Sequence, residues 1–196
     1  LKVLKILSGA SAIIAEGEVD QLTAQRKIDT SEERYLHIIR AKTAALFAAA
    51  SRIAAVVAEC SEEEEQALDE YGRNLGVAFQ LVDDALDYDS NAAEMGKDRG
   101  DDFREGKMTL PVILAYARGS EEEREFWKAA IAGFRTSDDD LDEAIRLIEK
   151  HNAVADTKAR ARHFAQRAID ALSIFPDGKA RQAMVQAALF SVSRGY

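Results

Sequence analysis

The 196-residue sequence keeps a helical repeat of apolar positions almost from end to end, and it interrupts that repeat at points that can be named. Strands rich in Val, Ile and Thr are hard to find, alanine is abundant, and Pro111 and Pro176 are the only prolines. A chain patterned this way buries its apolar stripes helix on helix, so the expected fold class is all-α. The interruptions are N-terminal caps. Asp29-Thr30-Ser31-Glu32-Glu33 opens a long helix to about Glu59, and Ser61 with Glu64 makes a capping box at the head of the next. Ser120-Glu121-Glu122-Glu123 and Ser137-Asp138-Asp139-Asp140 repeat the signal. Helices are predicted over 1–27 with Gly17 as a break point, then 31–59, 61–89, 109–118, 121–132, 138–151, 153–174 and 177–194. Residues 90–107, with Gly96, Gly100 and Gly106 among dense charges, read as the one long irregular segment. No repeat or linker divides 1–196, so one domain is expected.

Composition narrows the partners. A net charge of −9 repels phosphate backbones, which argues against nucleic acid. Cys60 stands alone, so no internal disulfide can form, and a reducing, cytoplasmic location is expected. No apolar run reaches the ~18 residues that span a bilayer. The opening stretch, LKVLKILSGASAIIAEGEVDQL, lacks a methionine and is already at helical period, so further N-terminal helices are expected before it.

The stretch GVAFQLVDDALDYD, residues 76–89, sets Asp83, Asp84, Asp87 and Asp89 directly after an apolar helical run. Burying an unpaired charge is expensive. Asp83 and Asp87 are four residues apart on one face, with Cβ atoms roughly 5–6 Å apart. The same stripe runs back through Gln80, Gly76 and Gly72, so it is expected to line a cavity. Carboxylates held this close repel unless they share a cation, and Mg²⁺ takes one or two carboxylates plus waters and phosphate oxygens. DDxxD alone also matches solvated acidic helix ends. A second match, Asp138 to Asp142, follows Thr136-Ser137 at a helix start, where acids favour the dipole; that match reads as structural.

Residues 90–107 supply the opposite charge. Lys97 and Lys107 lie among the glycines, with Arg99 and Arg104 between them and Asp98, Asp101 and Asp102 as further oxygen donors. Lysines act as point charges for phosphate. After a carboxylate helix, this pattern points to a diphosphate held between Mg²⁺ and lysines. A lysine inside the alanine-rich run, Lys42, calls for an anionic partner or a stem that snorkels to solvent.

At this point a family resemblance emerges. FQLVDDALDYD followed by GKDRGDDFREGKMTLP resembles the second aspartate-rich motif and lysine loop of trans-isoprenyl diphosphate synthases. GEVDQL at 17–22 and AKTAAL around Lys42-Thr43 fall in the family's order and spacing. The stretches YLHIIRAKTAALFAAASRIAAVVAE and SEEEEQALDEYGRNLGVAFQLVDDALDY are similar to those of the long-chain, octaprenyl-to-decaprenyl subgroup that makes quinone tails. The resemblance implies an isoprenoid-synthase-like helical bundle around a central cavity, with 1–196 as its C-terminal part. It implies a prenyltransferase that condenses an allylic diphosphate with isopentenyl diphosphate. On the positions that match, Asp83, Asp84 and Asp87 would bind Mg²⁺. Lys42, Lys97 and Lys107 would contact diphosphate, and Thr43, Phe79 and Gln80 would line the cavity near the reacting carbons. Asp83 with Lys42, Thr43 and Gln80 would carry the catalytic roles. The resemblance further implies a homodimer, and a long product allows contact with a membrane surface.

The family's first aspartate-rich motif, with its paired arginines, is not among these residues. The sequence therefore does not give product length, and a non-catalytic or complementing subunit of a heteromeric prenyl diphosphate synthase is the alternative expectation.

Overall fold

In the computed structural model, which describes residues 1–89 and 99–193, the described residues form helices and connecting turns with no strand. The order is α1 (Lys2–Ala24), α2 (Glu32–Ile39), a π-helical turn (Arg40–Ala44), α3 (Ala45–Val57) and α4 (Glu62–Leu86). There follow α5 (Asp101–Glu105), α6 (Leu110–Arg118), α7 (Glu121–Trp127), a second π-helical turn (Lys128–Ala132), α8 (Asp138–Lys150) and α9 (Ala153–Ala171). A short 3₁₀ turn (Leu172–Ile174) leads to α10 (Lys179–Ser193).

The caps form as the serines predict. Ser61, Ser120 and Ser137 each accept the N–H of the third helical residue, and Glu64, Glu123 and Asp140 return a bond to the cap. Each box stops the chain from starting its helix elsewhere, which fixes the phase of the apolar face behind it.

The long helix α4 is the axis of the bundle, packed between α3 and α9. Val77, Ala78, Leu81, Val82 and Ala85 are buried along it, and the first four join Phe103, Leu110, Trp127, Ile131, Leu147 and Ile148 in the main core. Gly76 lets α4 reach the π-helical turn before α3, because a Cβ there would stand 2.6 Å from the Cα of Ala44. Gly72 does the same against Phe47 and Ala48. The small end of the stripe is thus a close backbone contact, contrary to the expectation that it lines a cavity. Only its polar end, from Gln80 onward, faces open space.

Two further expectations are corrected. Gly17 does not break the first helix: α1 is continuous, and Gly17 is buried where a Cβ would meet the Lys42 nitrogen at 2.6 Å. The predicted 31–59 helix carries a π-helical turn, because the chain there must accommodate α1 at Gly17 on one side and α4 at Gly76 on the other. An extra residue in one turn swings side chains to new directions, and such turns recur at functional sites. This one carries Lys42 and Thr43.

Candidate functional site

The C-terminal end of α1, the start of the α2–α3 helix and the end of α4 enclose a cavity of about 220 Å³. The cavity is also lined by α5 and the turn after it. Asp83 and Asp84 enter from α4, Asp102 from α5, and Lys107 from the turn. Lys42 and Thr43 enter from the π-helical turn, and Ile38 and Ile39 supply an apolar wall. Whole small-molecule pockets run ~300–1,000 Å³, so this compartment suits a charged headgroup rather than a long chain.

The α4 aspartates are divided among different tasks. Asp83 is half-buried and lines the cavity. Asp84 is 4% exposed, and both its oxygens are engaged: Tyr35 donates its hydroxyl at 2.5 Å, and the Gln80 amide NH₂ donates at 2.7 Å. Thr43 donates its hydroxyl to the Gln80 carbonyl at 2.8 Å. One hydrogen-bonded chain therefore runs Thr43, Gln80, Asp84, Tyr35 and fixes which way the Gln80 amide points.

Burial first, and the Asp102 carboxylate second, push Asp84 up to about 7, against the two bonds that favour its charged form. Burial, and then Asp84 itself, hold the Tyr35 phenol well above its ordinary value, so it stays a donor.

Asp87 turns away from the cavity. Its carboxylate accepts the N–H groups of Asp101 at 3.2 Å and Asp102 at 3.1 Å, capping α5. Burial, then Asp102, raise it to about 6. Asp89 leaves the site altogether for an ion pair with Lys158 of α9 at 2.6 Å. The spacing that puts Asp83 and Asp87 on one face is correct. Of the three expected cation ligands, Asp83 and Asp84 line the cavity, while Asp84 and Asp87 accept hydrogen bonds from protein donors.

Lys107 donates to Asp102 at 2.9 Å and also pairs with Glu105 at 2.8 Å. Burial pulls its ammonium down, but Glu105 and Asp102 more than offset that and hold it above the ordinary lysine value. The anionic partner expected of Lys42 is Glu18, at 2.9 Å, and Gln21 accepts a second bond from the same ammonium. Glu18 and Gln21 sit one turn apart on α1, and Gly17 brings that turn against the lysine.

Phe79 packs on Phe47 with ring centroids 5.5 Å apart, and the cavity lining does not include it. Lys97 lies outside the described residues. Asp102 is where the sequence placed an oxygen donor, whereas Tyr35, Glu18 and Gln21 are site residues that the sequence did not single out. The GEVDQL motif already contained the last two, and their one-turn spacing was the available signal.

A helical bundle that gathers carboxylates and lysines on one small cavity above an apolar core is the architecture of the isoprenoid synthases. A model of the family described as Polyprenyl synthetase matches residues 1–148. An octaprenyl diphosphate synthase of Haemophilus influenzae is 42% identical over 198 residues, spanning all of this chain and 59% of that protein. A polyprenyl synthase from Caulobacter crescentus, solved in complex with calcium and isoprenyl diphosphate, superposes with a TM-score of 0.95 at 47% identity, over all of this chain and 60% of that one. A decaprenyl diphosphate synthase from Rhodobacter capsulatus superposes with a TM-score of 0.94 at 46% identity, again over all of this chain and 60% of that one. The chain belongs to the polyprenyl synthetase family. It spans about three fifths of the length of these relatives.

Proposed function

We propose that this chain carries the diphosphate-binding part of a prenyltransferase, which joins an allylic diphosphate to isopentenyl diphosphate and yields a longer all-trans polyprenyl diphosphate. The observation that supports it most is the meeting of Asp83, Asp84 and Asp102 with Lys42 and Lys107 on one cavity. Mg²⁺ suits this donor set. Every donor is a hard oxygen, and burial first, with the Asp102 carboxylate second, pushes Asp84 up to about 7. Among the described residues no three metal-type side chains converge on one point. Mg²⁺ takes one or two carboxylates and fills its shell with water and phosphate. Asp83 and Asp102 would hold it, and bound there it would neutralise charge on the departing diphosphate.

The residues then act as follows. Lys42 and Lys107 bind diphosphate oxygens, exchanging their present carboxylate partners for phosphate. As the allylic C–O bond breaks, the electron pair leaves with diphosphate, and the carbonyl dipole of Gln80 and the hydroxyl of Thr43 face the positive carbon. Tyr35 and Asp84 keep Gln80 from rotating, so its orientation is set before the reaction. Ile38 and Ile39 keep water from the cation. The C=C of isopentenyl diphosphate forms the new C–C bond, and loss of a proton restores an allylic chain.

Among the described residues no helix is long and apolar enough to cross a membrane. The proposed setting is cytoplasmic, the lone Cys60 fitting a reducing compartment. A homodimer is proposed as well, supported by Leu4, Leu7 and Ile13, which α1 leaves exposed. The test is to supply the gene product that contains these residues with Mg²⁺, farnesyl diphosphate and labelled isopentenyl diphosphate. Longer labelled polyprenyl diphosphates are expected, and their absence in a folded sample refutes the proposal.

A further inference from the structure

Arg26 has no place in the scheme above, yet its conformation is strained and its bonds are numerous. It follows α1 with a φ of 60°, in the left-handed region that an L residue enters at a cost in backbone energy. Glycine or asparagine sits there more easily, so something about the arginine side chain must compensate.

Its partners define that role. The Arg26 N–H donates to the Gly106 carbonyl at 2.8 Å. Its guanidinium donates to the Arg104 carbonyl at 3.3 Å and to the Ile131 carbonyl at 3.1 Å. The guanidinium carbon lies 3.8 Å from the centroid of the Phe134 ring, which covers it. Beside it, the Gln25 amide donates to the Glu105 carbonyl at 2.5 Å.

These bonds complete the C-terminal end of α5. A helix of five residues is far below the length that stands alone in water, and its last carbonyls need partners. Gly106, at a φ of 73°, closes the helix by donating its N–H to the Phe103 carbonyl at 2.9 Å, while the Lys107 backbone N–H donates to the Asp102 carbonyl at 2.8 Å. The carbonyls of Arg104, Glu105 and Gly106 remain, and Gln25 and Arg26 take all three. At the other end Asp87 takes the first N–H groups. Thus α5, which carries Asp102 and hands on directly to Lys107, is clamped at both ends by residues outside it. Gly106 has no room for a side chain, since a Cβ would stand 2.7 Å from the Arg26 Cγ.

We propose that Arg26 is a positioning residue of the diphosphate site: it clamps the C-terminal end of α5 and so sets where Lys107 and Asp102 stand in the cavity. This rests on the function proposed above. The clamp also ties that position to the segment after α7, through Ile131 and Phe134, so contacts made far from the cavity reach the binding lysine.

The experiment is a titration of inorganic diphosphate in the presence of Mg²⁺, on the wild type, Arg26→Gln, Arg26→Gly, Lys107→Ala and the Arg26→Gln/Lys107→Ala double variant. Arg26→Gly relieves the backbone strain while removing the guanidinium, so it separates folding from positioning. Both Arg26 variants are expected to bind about 10-fold more weakly, the scale of a lost orienting partner at a metal site. In the Lys107→Ala background the further loss is expected to shrink to the part carried by Asp102, because Arg26 acts through both residues of α5 and its following turn. Should Arg26→Gln fail to fold, Phe134→Ala, which removes only the covering ring, is expected to show a smaller loss in the same direction. Wild-type affinity in the Arg26 variants, or losses that add in the double variant, would overturn the positioning role alone. A wild type that binds no diphosphate with Mg²⁺ would overturn the proposed function and the positioning role with it.

Discussion

The chain contains the pattern DDxxD twice, at 83–87 and at 138–142, and the two copies have opposite fates. The first sits at the C-terminal end of α4, where the helix dipole already presents negative charge. The second sits at the N-terminal end of α8, where it is welcome. There Asp140 accepts from Ser137 and from Arg135, and Asp138 pairs with Arg104 at 3.1 Å. Asp139 and Asp142 are exposed. The Ser137 hydroxyl first, with Arg135 adding to it, holds Asp140 below its ordinary value, whereas Asp84 is driven up to about 7. The same pattern stabilises one helix and strains the other. What separates them is which helix end they occupy and whether an apolar run buries them, and only the strained copy has reason to take a cation.

The comparison breaks first if the strained copy binds nothing. Asp83→Ala is expected to weaken Mg²⁺-dependent diphosphate binding by about 100-fold, on the ~3 kcal/mol scale of a lost cation contact. Asp139→Ala is expected to leave it unchanged, both read by calorimetric titration. Asp87→Ala comes next. It removes the cap of α5, so about 1 kcal/mol of stability is expected to go, together with a loss of diphosphate affinity smaller than that of Asp83→Ala. Denaturant unfolding and titration check the two parts. Ser137→Ala is the mirror case, with about 1 kcal/mol lost by denaturant unfolding and affinity untouched.

The smallest effect sharpens the comparison by its sign. Asp84 is raised, so in cation-free protein its contribution to stability is present below its ordinary value and lost as pH rises toward about 7. Asp140 is lowered, so its contribution is present above its ordinary value and lost as pH falls through the lowered one. Thermal unfolding against pH is expected to flatten on the neutral side in Asp84→Asn and on the acid side in Asp140→Asn. Identical profiles would remove the electrostatic distinction.

The serine caps made most of the helix starts legible, because a cap is a local bond between residues three apart. The carboxylate helix at the cavity was legible too, since carboxylates after an apolar run are a local anomaly. The π-helical turn at 40–44 was not: RAKTA reads as any helix, and the turn comes from α1 and α4 packing on it through Gly17 and Gly76. Glu18 and Gln21 were hidden as partners of Lys42 for the same reason, more than twenty residues away in sequence. α5 was read as loop because its five residues have no helix-forming pattern of their own and depend on Asp87 and Arg26 at its ends. Residues that serve other residues at long range leave no periodic trace.

The most direct measurement is one titration series of diphosphate into the wild type, Asp83→Ala and Asp139→Ala, each with and without Mg²⁺. Binding that requires Mg²⁺, survives Asp139→Ala and is lost in Asp83→Ala is expected. Binding that ignores Mg²⁺, or that falls equally in the two variants, would contradict the assignment of the site to the α4 carboxylates.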